Sequence, residues 1–233
     1  MPTSSPSEMR AVVTGSSAGI GAAIARTLLA QGWAVTGFDR TPASIVHAGF
    51  TPVTVDLADA DATEVASRAA VGAQALVHAA GVMRVAPLGG LDAADGQRMW
   101  ALHVDALSRI ANHLVPAMAA AGQGRVVLIG SRVASGVAGR SQYAATKAAM
   151  VALARSWAAE VVARGVTVNV VSPAATRTGM LADPARQAEK PKLPPMGRLI
   201  EPEEIAALVG FLLSPAAAAI TGQDIRVCGG ASL

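Results

Sequence analysis

Thr14-Gly15-Ser16-Ser17-Ala18-Gly19-Ile20-Gly21 lies between a short apolar run and a segment rich in alanine and leucine. The apolar run, residues 11–13, predicts a buried strand, and residues 22–31 predict a helix that Gly32 ends. Glycine lacks a Cβ, so the backbone of this turn can approach a pyrophosphate closely, while the helix N-terminus offers free N–H groups and a positive dipole. A strand, a glycine turn and a helix in this order predict the opening of a nucleotide-binding fold rather than a plain glycine-rich turn.

The rest of the chain continues the alternation of strands and helices. Further strands are predicted at residues 34–38, 53–55, 75–77, 126–129, 166–171 and 224–227, and helices at residues 59–70, 93–118, 144–164 and 202–213. Residues 41–50 hold no convincing long helix, so the second crossover is predicted to be short. This pattern predicts an α/β fold with a parallel, doubly wound sheet and helices on both faces, in one domain over residues 1–233.

Composition narrows the class of protein. Apolar residues make up 52% of the 233 residues and charged residues 15%, which is enough for a large core. The most apolar stretch, residues 205–220, is broken by Ser214-Pro215, so no membrane partner is expected. A net charge of +3 with scattered basic residues and 3% aromatics argues against nucleic acid, and a single cysteine argues against a metal site. Residues 1–10 have no apolar signal segment, which predicts a cytoplasmic protein.

Cofactor choice depends on the end of the second predicted strand. Asp39 stands there, about 20 residues beyond the glycines, where a carboxylate accepts hydrogen bonds from the ribose hydroxyls of NAD and repels the 2′-phosphate of NADP. Arg40 beside it weakens this prediction, because an arginine can serve NADP. The sequence therefore favours NAD over NADP. Asp56, which follows the third strand, is expected to meet the adenine amino group.

A candidate acid/base group lies near the middle of the chain. Tyr143, the only tyrosine, stands four residues before Lys147 in a predicted helix, so both side chains share one face. A nearby ammonium lowers a phenol pKa from about 10. Ser131, after the strand at residues 126–129, can donate a hydrogen bond to the same oxygen. Alone, this spacing also fits a surface tyrosine beside a solvated lysine, but the nucleotide-binding opening favours general acid/base chemistry on an alcohol.

Further short motifs follow the predicted strands: Asp56-Leu57, Ala79-Ala80-Gly81 and residues 173–178. With the glycine turn, Ser131 and Tyr143-x-x-x-Lys147, their order and spacing resemble the short-chain dehydrogenases/reductases over residues 10–233. The resemblance implies a seven-stranded Rossmann sheet, NAD(P)-dependent interconversion of an alcohol and a carbonyl, and a homotetramer. The positions that it implies for cofactor binding are Gly15, Ser17, Gly19, Ile20, Gly21, Asp39, Arg40, Asp56, Leu57, Ala79, Ala80, Gly81, Tyr143, Lys147, Pro173, Thr176 and Thr178.

The resemblance also implies individual roles. Tyr143 is the acid/base, Lys147 also holds the nicotinamide ribose, and Ser131 orients the carbonyl oxygen. Two positions depart most clearly from the family pattern, and Ala174, where the family commonly has glycine, is a smaller third change. His78 replaces the first residue of the asparagine motif and is expected to be a hydrogen-bonded core histidine. His103 replaces the helix asparagine that helps to hold a water near the lysine, and either a catalytic role in proton relay or a packing role is open.

Residues 176–197 carry four prolines, and in the family this region is the lid over the substrate. Basic residues in and near it either favour an anionic substrate or are ordinary solvated cations; they are Arg84, Arg132, Arg177, Arg186, Lys190 and Lys192. Within the family the chain looks most similar to 2,3-dihydro-2,3-dihydroxybenzoate and cis-diol dehydrogenases. The leading expectation is an NAD-dependent dehydrogenase of a secondary alcohol, with a cyclic or acidic diol as the narrower form. The alternatives are an NADPH-dependent ketone reductase and a catalytically weak, cofactor-binding protein.

Overall fold

Seven parallel strands form one sheet at the centre of the protein. A computed structural model describes residues 9–182 and 192–233. The strands are β1 (Arg10–Thr14), β2 (Ala34–Asp39), β3 (Phe50–Thr54), β4 (Ala75–His78), β5 (Gly124–Ile129), β6 (Val166–Pro173) and β7 (Asp224–Val227). They lie in the order β3-β2-β1-β4-β5-β6-β7, with every neighbouring pair parallel. The chain reverses its direction across the sheet between β1 and β4, which places a crevice at their carboxyl ends.

Helices cover both faces of the sheet, as the alternating pattern predicts. They are α1 (Gly19–Ala30), α2 (Ala60–Ala69), α3 (Ala93–Trp100), α4 (Ala106–Ala120), α5 (Ser141–Val161) and α6 (Pro202–Leu213). One apolar core lies between the sheet and α1 with α6, and the other lies between the sheet and α2, α4 and α5. The short second crossover is confirmed, since no helix separates β2 from β3. Within the described ranges, no helix has the length and apolarity needed to cross a membrane.

Several predicted boundaries differ from the structure by a few residues, and three of the differences are informative. The strand predicted at residues 53–55 begins earlier, at Phe50, because β3 is an edge strand and tolerates Pro52, which has no N–H to donate. The helix predicted from residue 22 begins at Gly19, so the glycines themselves form its first turn. The helical stretch predicted over residues 93–118 is present, but it contains a π-helical turn, Ala101–Asp105, between α3 and α4. Such turns often occur at functional sites.

The predicted lid, residues 176–197, is described only at its two ends. Residues 183–191 lie outside the described residues, and the predictions made for Arg186 and Lys190 lie there too. On the N-terminal side, Thr176 forms a bridge with Ile200, and a 3₁₀ turn follows at Gly179–Ala182. On the C-terminal side, the Met196 N–H donates to Gly229 O at 3.1 Å, so this end rests on the C-terminal residues of the chain.

Candidate active site

A cavity of about 940 Å³ lies at the carboxyl ends of the strands. The structure brings all the predicted site residues to its wall except Ser17. Its lining joins residues from the loops after all seven strands with the first turns of α1 and α5, as expected for a crevice at the switch point of a doubly wound sheet. Residues that are remote in sequence therefore share one cavity that is large enough for a dinucleotide and a small substrate.

The glycine turn is fitted to close backbone contact. Gly15 has a positive φ of 68°, and a Cβ there would lie 2.9 Å from Ala80 Cα. Gly19 also has a positive φ, and its Cβ would lie 3.2 Å from Thr178 Cγ2. Ala18, the N-cap of α1, supplies no side-chain cap, so the first N–H groups of the helix remain available to an anion. The turn thus fits the pyrophosphate of a dinucleotide.

Ser17 does not line the cavity, but its backbone N–H orients Asp39, which does. The Ser17 N–H donates to Asp39 Oδ2 at 3.0 Å, and the N–H and hydroxyl of Thr41 both donate to Oδ1 at 2.9 Å. The carboxylate therefore has one fixed orientation at the wall of the cavity. Arg40, the next residue, is exposed and lines the same end. Asp56 lies there too, and its Oδ1 accepts from the Ala58 N–H at 3.0 Å.

Ser131, Tyr143 and Lys147 come together at the other end of the cavity. Ser131 follows β5, and its Oγ accepts from the Val133 N–H at 3.2 Å. No acceptor for the proton of this hydroxyl occurs in the described part of the chain, so the hydroxyl can donate into the cavity. Tyr143 is 5% exposed, and Lys147 Nζ lies 5.7 Å from the centroid of its ring.

The Lys147 ammonium is buried without a carboxylate partner among the described residues. Nζ donates to Ile129 O at 2.8 Å and contacts Met150 Sδ at 3.5 Å. Burial lowers the pKa of Lys147 from its ordinary value to about 7. The charge on this lysine is therefore adjustable near neutral pH, and the cavity provides room for an additional hydrogen-bond acceptor beside it.

The two histidines that depart from the family pattern are both buried and hydrogen-bonded. His78 Nδ1 lies 3.1 Å from Thr14 Oγ1, and its Nε2 lies 3.0 Å from Leu102 O. Burial, with a smaller effect of Lys147, lowers the pKa of His78 to about 3. The interpretation of His78 as a hydrogen-bonded core residue agrees with these contacts.

His103 lies at the cavity wall with protein partners on both ring nitrogens. Nε2 accepts from the Val82 N–H at 3.1 Å, and Nδ1 lies 2.7 Å from Thr146 Oγ1. Burial, followed by Lys147 and His78, lowers the pKa of His103 well below its usual value. A relay through His103 would have to break one of these bonds, which argues for a structural role. Thr146 was not predicted as a partner, although its position about one turn beyond Tyr143 was a sequence signal for it.

The structure separates the basic residues that the sequence grouped together. Arg84 pairs with Asp95 at 3.5 Å and Arg177 with Glu201 at 2.9 Å, and neither arginine lines the cavity. Arg132 and Lys192 do line it. Several other lining residues carry no local sequence signal because they are close only in the folded chain; these are Met83, Arg140, Gly230, Ala231 and Leu233.

Comparisons with known proteins agree with this geometry. A family model described as enoyl-(acyl carrier protein) reductase matches residues 15–232. The chain is 36% identical over 239 residues to cis-4-hydroxycyclohexanecarboxylate dehydrogenase of Sinomonas cyclohexanicum, and the aligned region covers 96% of each chain. It is 35% identical over 234 residues to 3-oxoacyl-[acyl-carrier-protein] reductase of Vibrio cholerae, covering 94% of this chain and 96% of that one. A solved structure titled short chain dehydrogenase/reductase family protein matches with a TM-score of 0.89 at 36% identity, covering 96% and 97% of the two chains.

The chain belongs to the short-chain dehydrogenase/reductase family. It is accordingly an oxidoreductase of secondary alcohols or ketones that uses a nicotinamide cofactor. A second solved member, an actinorhodin polyketide ketoreductase variant with NADPH, matches with a TM-score of 0.87 at 26% identity and 99% coverage of both chains. The narrower resemblance to cis-diol dehydrogenases has only loose support, since the similar family members act on several kinds of alcohol and ketone by name.

Proposed function

We propose that this dehydrogenase/reductase interconverts a secondary alcohol and a ketone with Tyr143 as the acid/base. The observation that supports this most is the meeting of Ser131, Tyr143 and Lys147 in the cavity that also holds the glycine turn. A bound nicotinamide supplies the two-electron chemistry by giving or taking a hydride. In ketone reduction the Tyr143 hydroxyl donates its proton to the carbonyl oxygen, and in alcohol oxidation the phenolate accepts the hydroxyl proton.

Lys147 and Ser131 assist this proton transfer in different ways. When charged, the Lys147 ammonium, 5.7 Å from the Tyr143 ring centroid, favours the phenolate electrostatically. Its Nζ also has room to hold a ribose hydroxyl of the cofactor. Ser131, whose Oγ is oriented by the Val133 N–H, donates to the substrate oxygen and fixes it near Tyr143. The positions of these three groups come from β5 and the first two turns of α5.

The activity is testable with a panel of secondary alcohols and ketones and both cofactors, followed at the nicotinamide absorbance. We expect turnover by the native protein and a large loss in Tyr143→Phe. Full cofactor binding by calorimetry without turnover of any panel member would favour the catalytically weak alternative. Equal turnover by the native protein and the Tyr143→Phe variant would remove Tyr143 from the mechanism.

For the cofactor we propose NAD, on the basis of Asp39. Three protein donors hold its carboxylate at the cavity wall, where it suits two ribose hydroxyls and repels a phosphate. NADP is the second candidate, because similar solved structures are described as holding NADPH or NADP and because exposed Arg40 lines the same end. Titration of the protein with each cofactor by calorimetry separates the two: tighter binding of NADP would reverse the assignment.

For the substrate we propose a cyclic secondary alcohol or ketone that carries a carboxylate. Arg132 and Arg140 line the end of the cavity that holds Ser131, Tyr143 and Lys147, here called the reaction end, and Lys192 also lines the cavity. The acidic residues of the described lining, Asp39 and Asp56, lie at the other end. Apolar side chains such as Met83 and Val133 share the reaction end and suit a hydrocarbon ring. A relative at 36% identity acts by name on cis-4-hydroxycyclohexanecarboxylate. The test compares 4-oxocyclohexanecarboxylate with its methyl ester, and preference for the ester would contradict the proposal.

We also propose a homotetramer that pairs through α4 and α5. The α5 helix exposes small apolar residues at Ala145, Ala148 and Ala152, and nearby Trp100 is 44% exposed. Light scattering at micromolar concentration should give four times the chain mass, and Ala148→Glu should reduce it. Val65→Glu, on the exposed face of α2, is the matched control and should leave the mass unchanged. A monomeric native protein would refute the proposal.

A further inference from the structure

Two buried histidines hold the π-helical turn that separates α3 from α4. His78, at the end of β4, contacts the turn through Leu102 O, and His103 lies within it. From there His103 reaches both the loop after β4 and helix α5. The proton transfer proposed above assigns neither ring a step. Their hydrogen-bond partners nevertheless determine which nitrogen of each ring carries the proton.

For His78, the Leu102 carbonyl can only accept, so Nε2 must carry the hydrogen of this 3.0 Å bond. The neutral ring then accepts at Nδ1, from the Thr14 hydroxyl at 3.1 Å. Thr14 Oγ1 in turn accepts from the N–H groups of Ala79 and Ala80, at 3.1 and 3.0 Å. His78 thereby links the π-helical turn to β1, immediately before Gly15 of the glycine turn.

His103 requires the opposite tautomer. The Val82 N–H can only donate, so Nε2 is the acceptor of this 3.1 Å bond and Nδ1 carries the hydrogen. Nδ1–H donates to Thr146 Oγ1 at 2.7 Å, and the Thr146 hydroxyl donates to Tyr143 O at 2.9 Å. The rings of His103 and Tyr143 also meet edge to face, with centroids 5.6 Å apart and an interplanar angle of 83°.

We propose that His103 is a positioning residue: as the neutral Nδ1–H tautomer it ties the first turn of α5, and with it Tyr143, to the loop at Val82. Gly81 allows this contact, since a Cβ there would lie 2.7 Å from His103 Nε2. His78, as the Nε2–H tautomer, ties the same π-helical turn to β1. The chain of bonds therefore couples the acid/base residue to the strand that carries the glycine turn. The kinetic part of this inference rests on the role proposed for Tyr143.

A protonated His103 does not fit these contacts. A proton on Nε2 would face the Val82 N–H, so two donors would oppose each other in a buried space. The charged groups that face the ring are Lys147 and, if protonated, His78, and both would repel an imidazolium. The two rings are the fully buried histidines of the described chain, at 0% exposure each. Both should stay neutral where ordinary histidines are already charged.

The tautomers are directly observable by ¹⁵N NMR of the histidine rings in the native protein. Between pH 8 and pH 5.5, we expect one ring with its proton on Nδ1 and another with its proton on Nε2, neither of them titrating. His103→Asn should remove the Nδ1–H signal and His78→Asn the Nε2–H signal. An Nε2–H or a doubly protonated His103 at pH 6 would overturn the proposal. This measurement needs no substrate, so it is independent of whether the proposed reaction is correct.

Kinetics then distinguish positioning from relay and from plain packing. Thr146→Val removes the acceptor of the His103 bond and should lower kcat about fivefold to tenfold, with little change in the KM of the ketone. Thr146→Ser keeps the hydroxyl and should restore most of kcat. Ser67→Ala, which removes an equally buried hydroxyl in α2 bonded to Thr63 O, is the control and should leave kcat unchanged.

Two results would overturn the positioning role. If Thr146→Val keeps native kcat and KM, the bond does not position Tyr143. If the pH profile of native kcat shows an ionisation that disappears in His103→Asn, then His103 exchanges protons and is a relay. If neither the native protein nor any variant turns over a ketone or an alcohol while the tautomers are as expected, the proposed reaction and the positioning role are both refuted. The hydrogen bonds of the two histidines would still stand.

Discussion

The two ends of the cavity are built in different ways. The cofactor end is made mainly of backbone: a glycine turn, an uncapped helix N-terminus and one carboxylate that three local donors fix. The reaction end is made of side chains that come from β5, the π-helical turn and α5 and that depend on one another over long sequence distances. Side-chain changes at one end that leave the bonds of His78 and His103 intact should therefore have little effect on the other end.

Charge divides the ends in the same way. Asp39 and Asp56 lie at the cofactor end, whereas Lys147, Arg132 and Arg140 lie at the reaction end. Changes at the first end should thus alter which cofactor binds, and changes at the second should alter turnover or substrate choice. A variant at one end that changed the function assigned to the other end would contradict this division.

Tyr143→Phe should have the largest effect. It keeps the ring and removes only the hydroxyl, so turnover should fall about 10²–10⁴-fold, the usual contribution of a general acid/base. Cofactor affinity should stay within about twofold, because the cofactor end is untouched. Steady-state kinetics and calorimetry on the same preparation provide the check. Near-native turnover would remove Tyr143 from the mechanism, and a lost cofactor site would show that the two ends are not independent.

The cofactor end was largely predictable because its signals are local. A strand, three glycines and a helix lie within about 20 residues, and Asp39 stands at the end of the next strand, so pattern and spacing suffice. Ser17 lies outside the cavity lining, and its N–H donates to Asp39 Oδ2, a contact that the local pattern does not predict. The paired spacing of Tyr143 and Lys147 on one helix face was also readable from the sequence.

The reaction end was less predictable because it depends on tertiary contacts. No local pattern showed that residues 101–105 form a π-helical turn, since the apolar spacing of residues 93–118 is compatible with one helix. The partners of His103, at Val82 and Thr146, lie 21 and 43 residues away in sequence. Arg140 and the C-terminal residues reach the cavity only through the packing of loops. The sequence therefore indicated the chemistry but not the network that holds it in place.

Asp39→Ala should have the next largest effect and should act at the cofactor end alone. Loss of hydrogen bonds to a charged group costs about 1.5–3 kcal/mol, so NAD should bind roughly 10–100-fold more weakly. NADP should bind more tightly than before, because the repelling carboxylate is gone. Calorimetric titrations with NAD and with NADP measure both affinities. Asp56→Ala, which removes another carboxylate at the same end, is the control for the change in preference between the two cofactors. A native protein that already prefers NADP would show that Asp39 was misread.

Stability should fall as the pH drops from 6.5 to 5. The folded-state pKa of His78 is about 3, far below the unfolded value of 6.5, so the unfolded chain binds more protons across this window. This histidine alone should cost roughly 1.5 kcal/mol of unfolding free energy between these two pH values. Lys147, with a pKa of about 7, is mostly charged in both states there and contributes little.

Urea unfolding of the native protein and of His78→Asn at pH 6.5 and pH 5 tests this expectation. Asparagine does not titrate, so the variant should lose less stability over the window than the native protein, by roughly 1.5 kcal/mol. If both proteins lose the same amount, His78 is protonated in the folded state, and the network that joins the two ends is not the one in the structure.

Arg132→Gln should have the smallest effect and should act on substrate choice alone. Arg132 is partly buried at the reaction end, and its Nη1 donates to Ala231 O at 3.1 Å, which leaves other guanidinium donors for a carboxylate. Because the site is open to solvent, we expect a loss of about 1 kcal/mol, or roughly fivefold in kcat/KM, for 4-oxocyclohexanecarboxylate and almost none for its methyl ester.

Arg177→Gln is the matched control, since Arg177 pairs with Glu201 away from the cavity, and it should leave the ratio of acid to ester unchanged. An equal loss for acid and ester in Arg132→Gln would mean that the arginine only holds the C-terminal residues in place. A changed ratio in the Arg177 variant would mean that long-range charge, rather than a contact at the reaction end, selects the substrate.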